Sequence, residues 1–156
     1  MASVNRDTEP LGVEKDKVGI QVEIKYCPVL GGTENLTYFL KNFVNLLEKG
    51  HTQPHIMGGN RSKAIYAVAD GKIVGQLTFE ITDDFSKTTW IILTTVDEQY
   101  RRRGIYSMLH KYLYRTMLKI GSRKVASHVH IDNKEIQASQ RKLGYKQVYI
   151  RTEKEI

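Results

Sequence analysis

Residues Thr88–Val96 (TTWIILTTV) constrain the fold of this chain more than any other stretch. They are rich in β-branched side chains and nearly continuously apolar at 90–93, so they read as a strand covered on both faces. The pattern then changes abruptly. Residues 97–103 (DEQYRRR) are strongly polar, and Gly104 opens a long amphipathic helix. Ile105, Met108, Leu109, Tyr112, Leu113, Thr116, Met117 and Ile120 fall on its inner face, and Gly121 ends it. A further β-prone segment follows at 124–131, then a helical one at 133–143 with Gly144 as its stop, then a last strand at 145–152. Strand and helix alternate through this half, which requires part of the sheet to be parallel, because a helix must carry the chain back before the next strand begins.

The first half reads differently. Residues 1–16 are polar, contain Pro10 and Gly12, and are expected to be a loose leader to a single domain at 17–156. Residues 18–26 alternate, with Val18, Ile20, Val22 and Ile24 on one side and Gln21, Glu23 and Lys25 on the other, as in a half-buried strand. Thr33 is a suitable N-cap for a helix carrying Leu36, Phe39, Leu40, Phe43, Val44 and Leu47, which Gly50 closes. Residues 51–61 (HTQPHIMGGNR) read as a loop that lines an acceptor pocket; His51 and His55 have no acidic or thiol neighbour in sequence and are not read as a metal pair. Strands at 64–69 and 72–82 flank Asp70-Gly71, a two-residue turn whose positive φ angles suit a tight hairpin. The predicted class is therefore α/β: a mixed central sheet, partly antiparallel and partly parallel, with helices on both faces.

At 156 residues the chain can bury a self-sufficient core, and 40% hydrophobic with 26% charged residues excludes a largely disordered polymer. The single cysteine, Cys27, excludes an intramolecular disulfide framework and a multi-cysteine zinc site, and it suits a reducing, cytoplasmic setting. No apolar run approaches the roughly 20 residues of a membrane span, and MASVNRDTEPLG has no signal-peptide core. A net charge of +7 serves solubility and also points to an anionic ligand: a nucleotide cofactor, nucleic acid or an acidic surface. The basic residues concentrate at Arg101, Arg102 and Arg103, beside Gly104 at a helix start. Backbone N–H groups there lack intrahelical partners and the helix dipole is positive, so a pyrophosphate is the natural occupant. The segment is neither a Walker loop nor a dinucleotide-binding fingerprint, because the required glycines are missing.

Three motifs in order resemble the GNAT superfamily of N-acetyltransferases over roughly 18–150. The first is Asp70-Gly71-Lys72-Ile73-Val74-Gly75, similar to a family hairpin. The second is Arg101-Arg102-Arg103-Gly104-Ile105-Tyr106, similar to Arg/Gln-x-x-Gly-x-Gly/Ala. The third is Asn133 followed by Leu143-Gly144-Tyr145. The resemblance implies acetyl-CoA as cofactor, with its pyrophosphate on the N–H groups of Arg101, Arg102, Arg103, Gly104, Ile105 and Tyr106. It also implies a pantetheine arm pairing with Thr94, Thr95 and Val96 where two parallel strands splay, with Asn133 nearby. The implied reaction is direct attack by an amine, with no acyl-enzyme, so Cys27 is read as an ordinary cysteine. Two residues depart from the family pattern: Tyr106 replaces a small residue, and Gln140 stands where a Tyr general acid often lies. The family usually adds two strands after its last helix, whereas this chain has length for one. The sheet edge is then open, which invites a homodimer.

The attacking amine must lose a proton. His128 and His130 share one face of the strand before Asn133, and His128 stands where some family members carry a basic Glu. An ordinary imidazole, with a pKa near 6.5, can accept that proton directly or through water. His130, Glu80 and plain solvent-facing strand histidines are the other readings. The function expected is acetyl transfer from acetyl-CoA to a primary amine, with protein amines, polyamine-like metabolites, amino sugars and nucleic-acid bases all open as acceptors. The alternative is a catalytically weak CoA-fold protein that binds nucleic acid or a protein partner through its basic face, with Gln140 and Tyr106 as the features behind it.

Overall fold

In the computed structural model, which describes residues 8–50, 61–148 and 152–155, one six-stranded sheet runs in chain order. Its strands are β1 (Glu9–Lys15), β2 (Gln21–Cys27), β3 (Lys63–Ala69), β4 (Lys72–Ile81), β5 (Thr88–Val96) and β6 (Lys124–Ser127). The first four pairings are antiparallel and β5–β6 is parallel. Among the described residues three α-helices accompany it: α1 (Glu34–Glu48), α2 (Ile105–Ile120) and α3 (Lys134–Lys142). The mixed α/β architecture expected from the sequence is the one observed.

Each face of the sheet has its own core. Val22, Ile24, Ile65, Leu77, Phe79 and Ile91 pack with Ile105, Leu109, Leu113 and Met117 of α2. On the opposite face Cys27, Leu30, Ala64, Tyr66 and Leu93 pack with Phe39 and Phe43 of α1. Strand alternation produces this division, since successive side chains point to opposite faces. Gly75 in β4 lets the N-terminus of α2 lie close to the sheet; a Cβ there would sit 3.2 Å from Ile105 Cγ2 and 3.4 Å from Leu109 Cδ1.

Five expectations change. Glu9–Lys15, read as part of a leader, is an edge strand paired with β2 from Glu9↔Tyr26 to Lys15↔Gln21. Its polar residues have partners on α2, where the Lys111 ammonium meets the Glu14 carboxylate at 2.6 Å. Gly12 lies directly against the Tyr112 ring, so a Cβ there would overlap the phenol oxygen. Val18 lies in the turn between β1 and β2, where the Asp16 carboxylate accepts from the N–H groups of Val18 (3.0 Å) and Ile20 (2.8 Å), so the half-buried strand starts at Gln21.

The strand expected at 124–131 stops at Ser127, where parallel pairing with β5 ends at Ile91↔Ser127. The strand expected at 145–152 is not formed at 145–148, and 149–151 lie outside the described residues. Gly144, at φ +88°, closes α3, the Tyr145 N–H donates to the Gln140 carbonyl at 3.1 Å, and the Tyr145 ring packs against the α2-side core instead of extending the sheet. Finally, β5 is not covered along its whole length: Thr88, Thr89, Ile91, Leu93 and Val96 are buried, but Trp90 is 36% exposed. The loop expected at 51–61 lies outside the described residues from 51 to 60.

Candidate active site

The site is organised by a break in β5. Thr78 pairs with Leu93 but Phe79 pairs with Ile91, so Ile92 is an extra residue on β5, a bulge that turns the strand away from its neighbour. The parallel partner β6 follows β5 only over Thr88–Ile91. From Ile92 onward the β6-side edge of β5 has no strand beside it among the described residues, so Thr94, Thr95 and Val96 border a wedge between two diverging strands. Ladder groups on such an edge are available to an extended ligand.

At the wide end of the wedge, β5 runs through the 3₁₀ turn Glu98–Tyr100 into the basic loop. Arg102 adopts φ 60° and Gly104 φ 90°, two left-handed residues that fold the loop back on itself before α2. The first bond of α2 runs from the Met108 N–H to the Gly104 carbonyl at 3.0 Å, leaving the N–H groups of Ile105, Tyr106 and Ser107 without intrahelical acceptors.

The loop is clamped from outside. The Lys17 N–H donates to the Arg103 carbonyl at 3.1 Å, and the Arg103 guanidinium lies 3.6 Å from the buried Asp16 carboxylate and 5.1 Å from the centre of the Tyr100 ring. Tyr100 in turn donates to Asp70 in the β3–β4 hairpin at 2.5 Å. Arg101 reaches back, its Nε donating to the Val96 carbonyl at 2.9 Å. Arg101 and Arg102 are exposed, and neither forms an ion pair with a carboxylate among the described residues, so their positive charge is open to solvent.

Tyr106 turns its side chain along α2. Its ring centre lies 4.4 Å from that of His110, which also makes edge contacts with Tyr114 and Tyr145. The Tyr106 hydroxyl and His110 Nε2 are both buried without a hydrogen-bond partner. His110 Nδ1 lies 3.0 Å from the Tyr106 carbonyl, which can only accept, so Nδ1 carries the proton. Burial lowers the His110 pKa to about 4, opposed by that backbone hydrogen bond. Burial pushes the Tyr106 phenol up, so it stays protonated.

At the narrow end of the wedge stands His128, exposed and just past the last paired residue of β6. Its ring stacks on Trp90 with centroids 5.2 Å apart and planes 19° apart. Among the described residues neither of its ring nitrogens has a hydrogen-bond partner. His130 lies farther along, 3.7 Å from the Asp132 carboxylate and tied to the Asp132 N–H. Gln140 belongs to the same end of the wedge: its amide donates to Ser127 Oγ at 2.7 Å and so ties α3 to the end of β6. Asn133 is the N-cap of α3, its side chain accepting from the Ile136 N–H at 3.3 Å. Cys27 is fully buried, with Sγ donating to the Val29 carbonyl at 3.0 Å, consistent with an ordinary core thiol.

The α1 face of the sheet contributes polar residues that sequence reading did not bring together. The Gln76 amide donates to the Asn35 carbonyl at 2.9 Å and to its side-chain oxygen at 3.0 Å, and Thr78 donates to Gln76. Tyr38 donates to Asp97 at 2.7 Å, and burial together with that carboxylate raises its pKa. Ser62 donates to Glu80 at 2.8 Å. Glu80 is the cross-strand partner of Trp90, so both project from the α1 face. Alternation of polar residues in β4 (Gln76, Thr78, Glu80) was the one available signal; their partners are up to 41 residues away in sequence.

The sequence model of the acetyltransferase (GNAT) family matches residues 35–145. No curated protein matches the chain by sequence. Among solved structures, an aminoglycoside acetyltransferase from an uncultured soil metagenomic sample is similar with a TM-score of 0.67 at 16% identity, covering 86% of this chain and 96% of that one. A ribosomal-protein-alanine N-acetyltransferase from Brucella melitensis biovar Abortus 2308 gives 0.67 at 14% identity, covering 86% and 99%. Aminoglycoside N-acetyltransferase AAC(6')-Iy in complex with CoA gives 0.60 at 20% identity, covering 85% and 99%. At these identities the likeness is one of fold.

Proposed function

Since the chain belongs to the acetyltransferase (GNAT) family, we propose that it uses acetyl-CoA to acetylate a primary amine, with the wedge between β5 and β6 as the cofactor site and His128 as the base. The observation that carries this reading is the continuity of three features: the free edge of β5 at 94–96, the exposed Arg101 and Arg102, and the open N–H groups at the start of α2. They fit a ligand that is extended and amide-bearing at one end and doubly phosphorylated at the other. Acetyl-CoA would supply an activated acyl group to this site. Thr94 and Val96, whose backbone groups point away from β4, would hold the arm by backbone hydrogen bonds beside the Arg101 side chain on the Val96 carbonyl, with Thr95 bonded to β4 between them, and residues 101–106 would hold the phosphates through backbone N–H groups and charge. Asn133 would act indirectly, by fixing the start of α3.

The amine nitrogen would form a bond to the acetyl carbon and give up one proton, while the carbon–sulfur bond breaks and CoA leaves as a thiolate that solvent protonates. His128 is the group at the narrow end of the wedge with a free ring nitrogen and access to solvent, so it takes that proton directly or through one water and returns it to bulk. Gln140 orients Ser127 rather than donating a proton. A cytoplasmic setting is supported by the single cysteine, Cys27, which is buried in the core; no described helix is long and apolar enough to cross a membrane.

The test combines acetyl-CoA binding and turnover. Acetyl-CoA at about 100 times its Kd should add about 2.7 kcal/mol of stability to the wild type. Gly104→Val should lose most of that gain, because a branched residue resists φ 90° and the loop would re-form with its N–H groups misdirected. Release of free CoA thiol in the presence of amines should accompany binding. Wild-type and Gly104→Val proteins with equal affinity for acetyl-CoA would overturn the placement. Tight binding with no thiol release from any amine would overturn the reaction.

A further inference from the structure

The narrow end of the wedge holds the chain's single tryptophan, and nothing in the fold requires it to be exposed. Trp90 lies on a strand whose neighbours Thr89 and Ile91 are buried, yet it remains 36% exposed on the α1 face. One side of its ring is occupied by His128, with centroids 5.2 Å apart and planes 19° apart. That spacing is close to the distance between neighbouring strands, about 4.8 Å. The two rings therefore stand side by side across the sheet, and the other face of Trp90 looks toward β4. The residue standing there is Glu80, directly opposite in the ladder, with Cβ atoms of such pairs about 5 Å apart. Ser62, itself fully buried, donates to Glu80 Oε1 at 2.8 Å. Oε2 has no partner among the described residues. An open aromatic face and a free carboxylate oxygen thus border one slot.

Each half of that slot attracts the same kind of group. The π face of Trp is the best cation platform among side chains, and a carboxylate beside it adds an opposite charge and a hydrogen-bond acceptor. A neutral group would gain only apolar contact or one uncharged hydrogen bond, and an anion would be repelled by the carboxylate, although the chain as a whole is basic. The slot adjoins the reaction site: the open edge of β5 begins at Ile92, two residues beyond Trp90, which a strand covers in about 7 Å. Resting on the reading of the wedge as an amine-acetylating site, we propose that Trp90 and Glu80 form an acceptor subsite for a second ammonium group. The substrate class is then amines carrying two or more positive charges, with the distal charge about 7 Å or more from the nitrogen that is acetylated. His128 serves this subsite as well, because its stacked ring keeps Trp90 upright.

Trp90 is its own reporter, being the only indole in the chain. The experiment titrates the acetyl-CoA-free protein with 1,5-diaminopentane and with pentylamine, which share a carbon chain and differ by one ammonium. Trp90 emission should change saturably with the diamine at a midpoint at least 10-fold below that of the monoamine, and Glu80→Gln should bring the two midpoints within about 3-fold. Equal midpoints in the wild type, or a preference that survives Glu80→Gln, overturns the subsite. In parallel, the ratio of kcat/KM for diamine over monoamine is measured with acetyl-CoA for wild type, Trp90→Phe and Trp90→Leu. The ratio should be retained by Phe, which keeps an aromatic face, and should fall at least 10-fold with Leu, with KM carrying the change. A ratio equal in all three proteins overturns the subsite while leaving amine acetylation standing. Diamine-selective fluorescence without turnover of either amine overturns the acetylation reading and leaves the subsite standing as a binding site.

Discussion

Protonation of His110 should control the acid stability of this domain. The side chain is fully buried, flanked by the rings of Tyr106, Tyr114 and Tyr145, with Nδ1 bonded to the Tyr106 carbonyl and Nε2 unpartnered. Among the described residues no carboxylate contacts it to compensate a second proton, so burial holds the folded-state pKa at about 4. The unfolded chain protonates the same imidazole near pH 6.5. Between those values the unfolded state binds the proton and the folded state does not, so stability falls as pH falls. It is complete above pH 6.5, and its loss is complete below pH 4. At about 1.4 kcal/mol per pH unit the whole interval is worth about 3 kcal/mol, of which about 2.5 is gone by pH 4.5.

The assay is urea unfolding of wild type and His110→Gln at pH 7.5 and pH 4.5. Carboxylates such as Glu14, whose pKa is lowered chiefly by its hydrogen bond to Lys111, titrate in both proteins and cancel in the difference. The wild-type advantage over His110→Gln should shrink by about 2–3 kcal/mol on acidification. A gap that stays constant to within about 0.5 kcal/mol would show that His110 does not titrate on unfolding in this window, and would refute the reasoning.

Other outcomes follow from the same geometry. His128→Gln should lower kcat by about 10²–10⁴-fold while leaving acetyl-CoA affinity within a few-fold, measured by single-turnover transfer and calorimetry; an unchanged kcat would remove His128 as the base. Gln140→Ala frees Ser127 Oγ and should loosen α3 from β6, visible as faster hydrogen exchange across 127–143, whereas Gln140→Tyr should not raise kcat if solvent protonates the leaving thiolate. Gly12→Val should cost about 1–3 kcal/mol in a denaturation experiment, because its side chain collides with the Tyr112 ring that β1 packs on; a neutral result would mean β1 is not docked there in solution.

The sequence by itself was enough for the elements whose signal is local. The apolar run of β5, the helical stripe of α2 and the Asp70-Gly71 turn each carry a period or a backbone demand within a few residues, and all three stand where they were read. The features at the start of α2 were legible for the same reason. Gly104 and the arginines are contiguous, and a helix start is a local property whose unpaired N–H groups follow from any helix beginning there.

Tertiary structure decided the rest. β1 has no strong alternation of its own, and it becomes a strand because β2 offers a ladder and α2 offers Lys111 and Tyr112 to its side chains. Where β6 ends is set by a bulge at Ile92 in a different strand, and 145–148 fail to pair because Tyr145 is drawn into the core. The meeting of Trp90 with His128 and Glu80, and of Tyr38 with Asp97, depends on register between strands and on helix placement. A one-residue slip of β5 would send Trp90 to the face opposite Glu80, and nothing within either strand encodes the register of that pair.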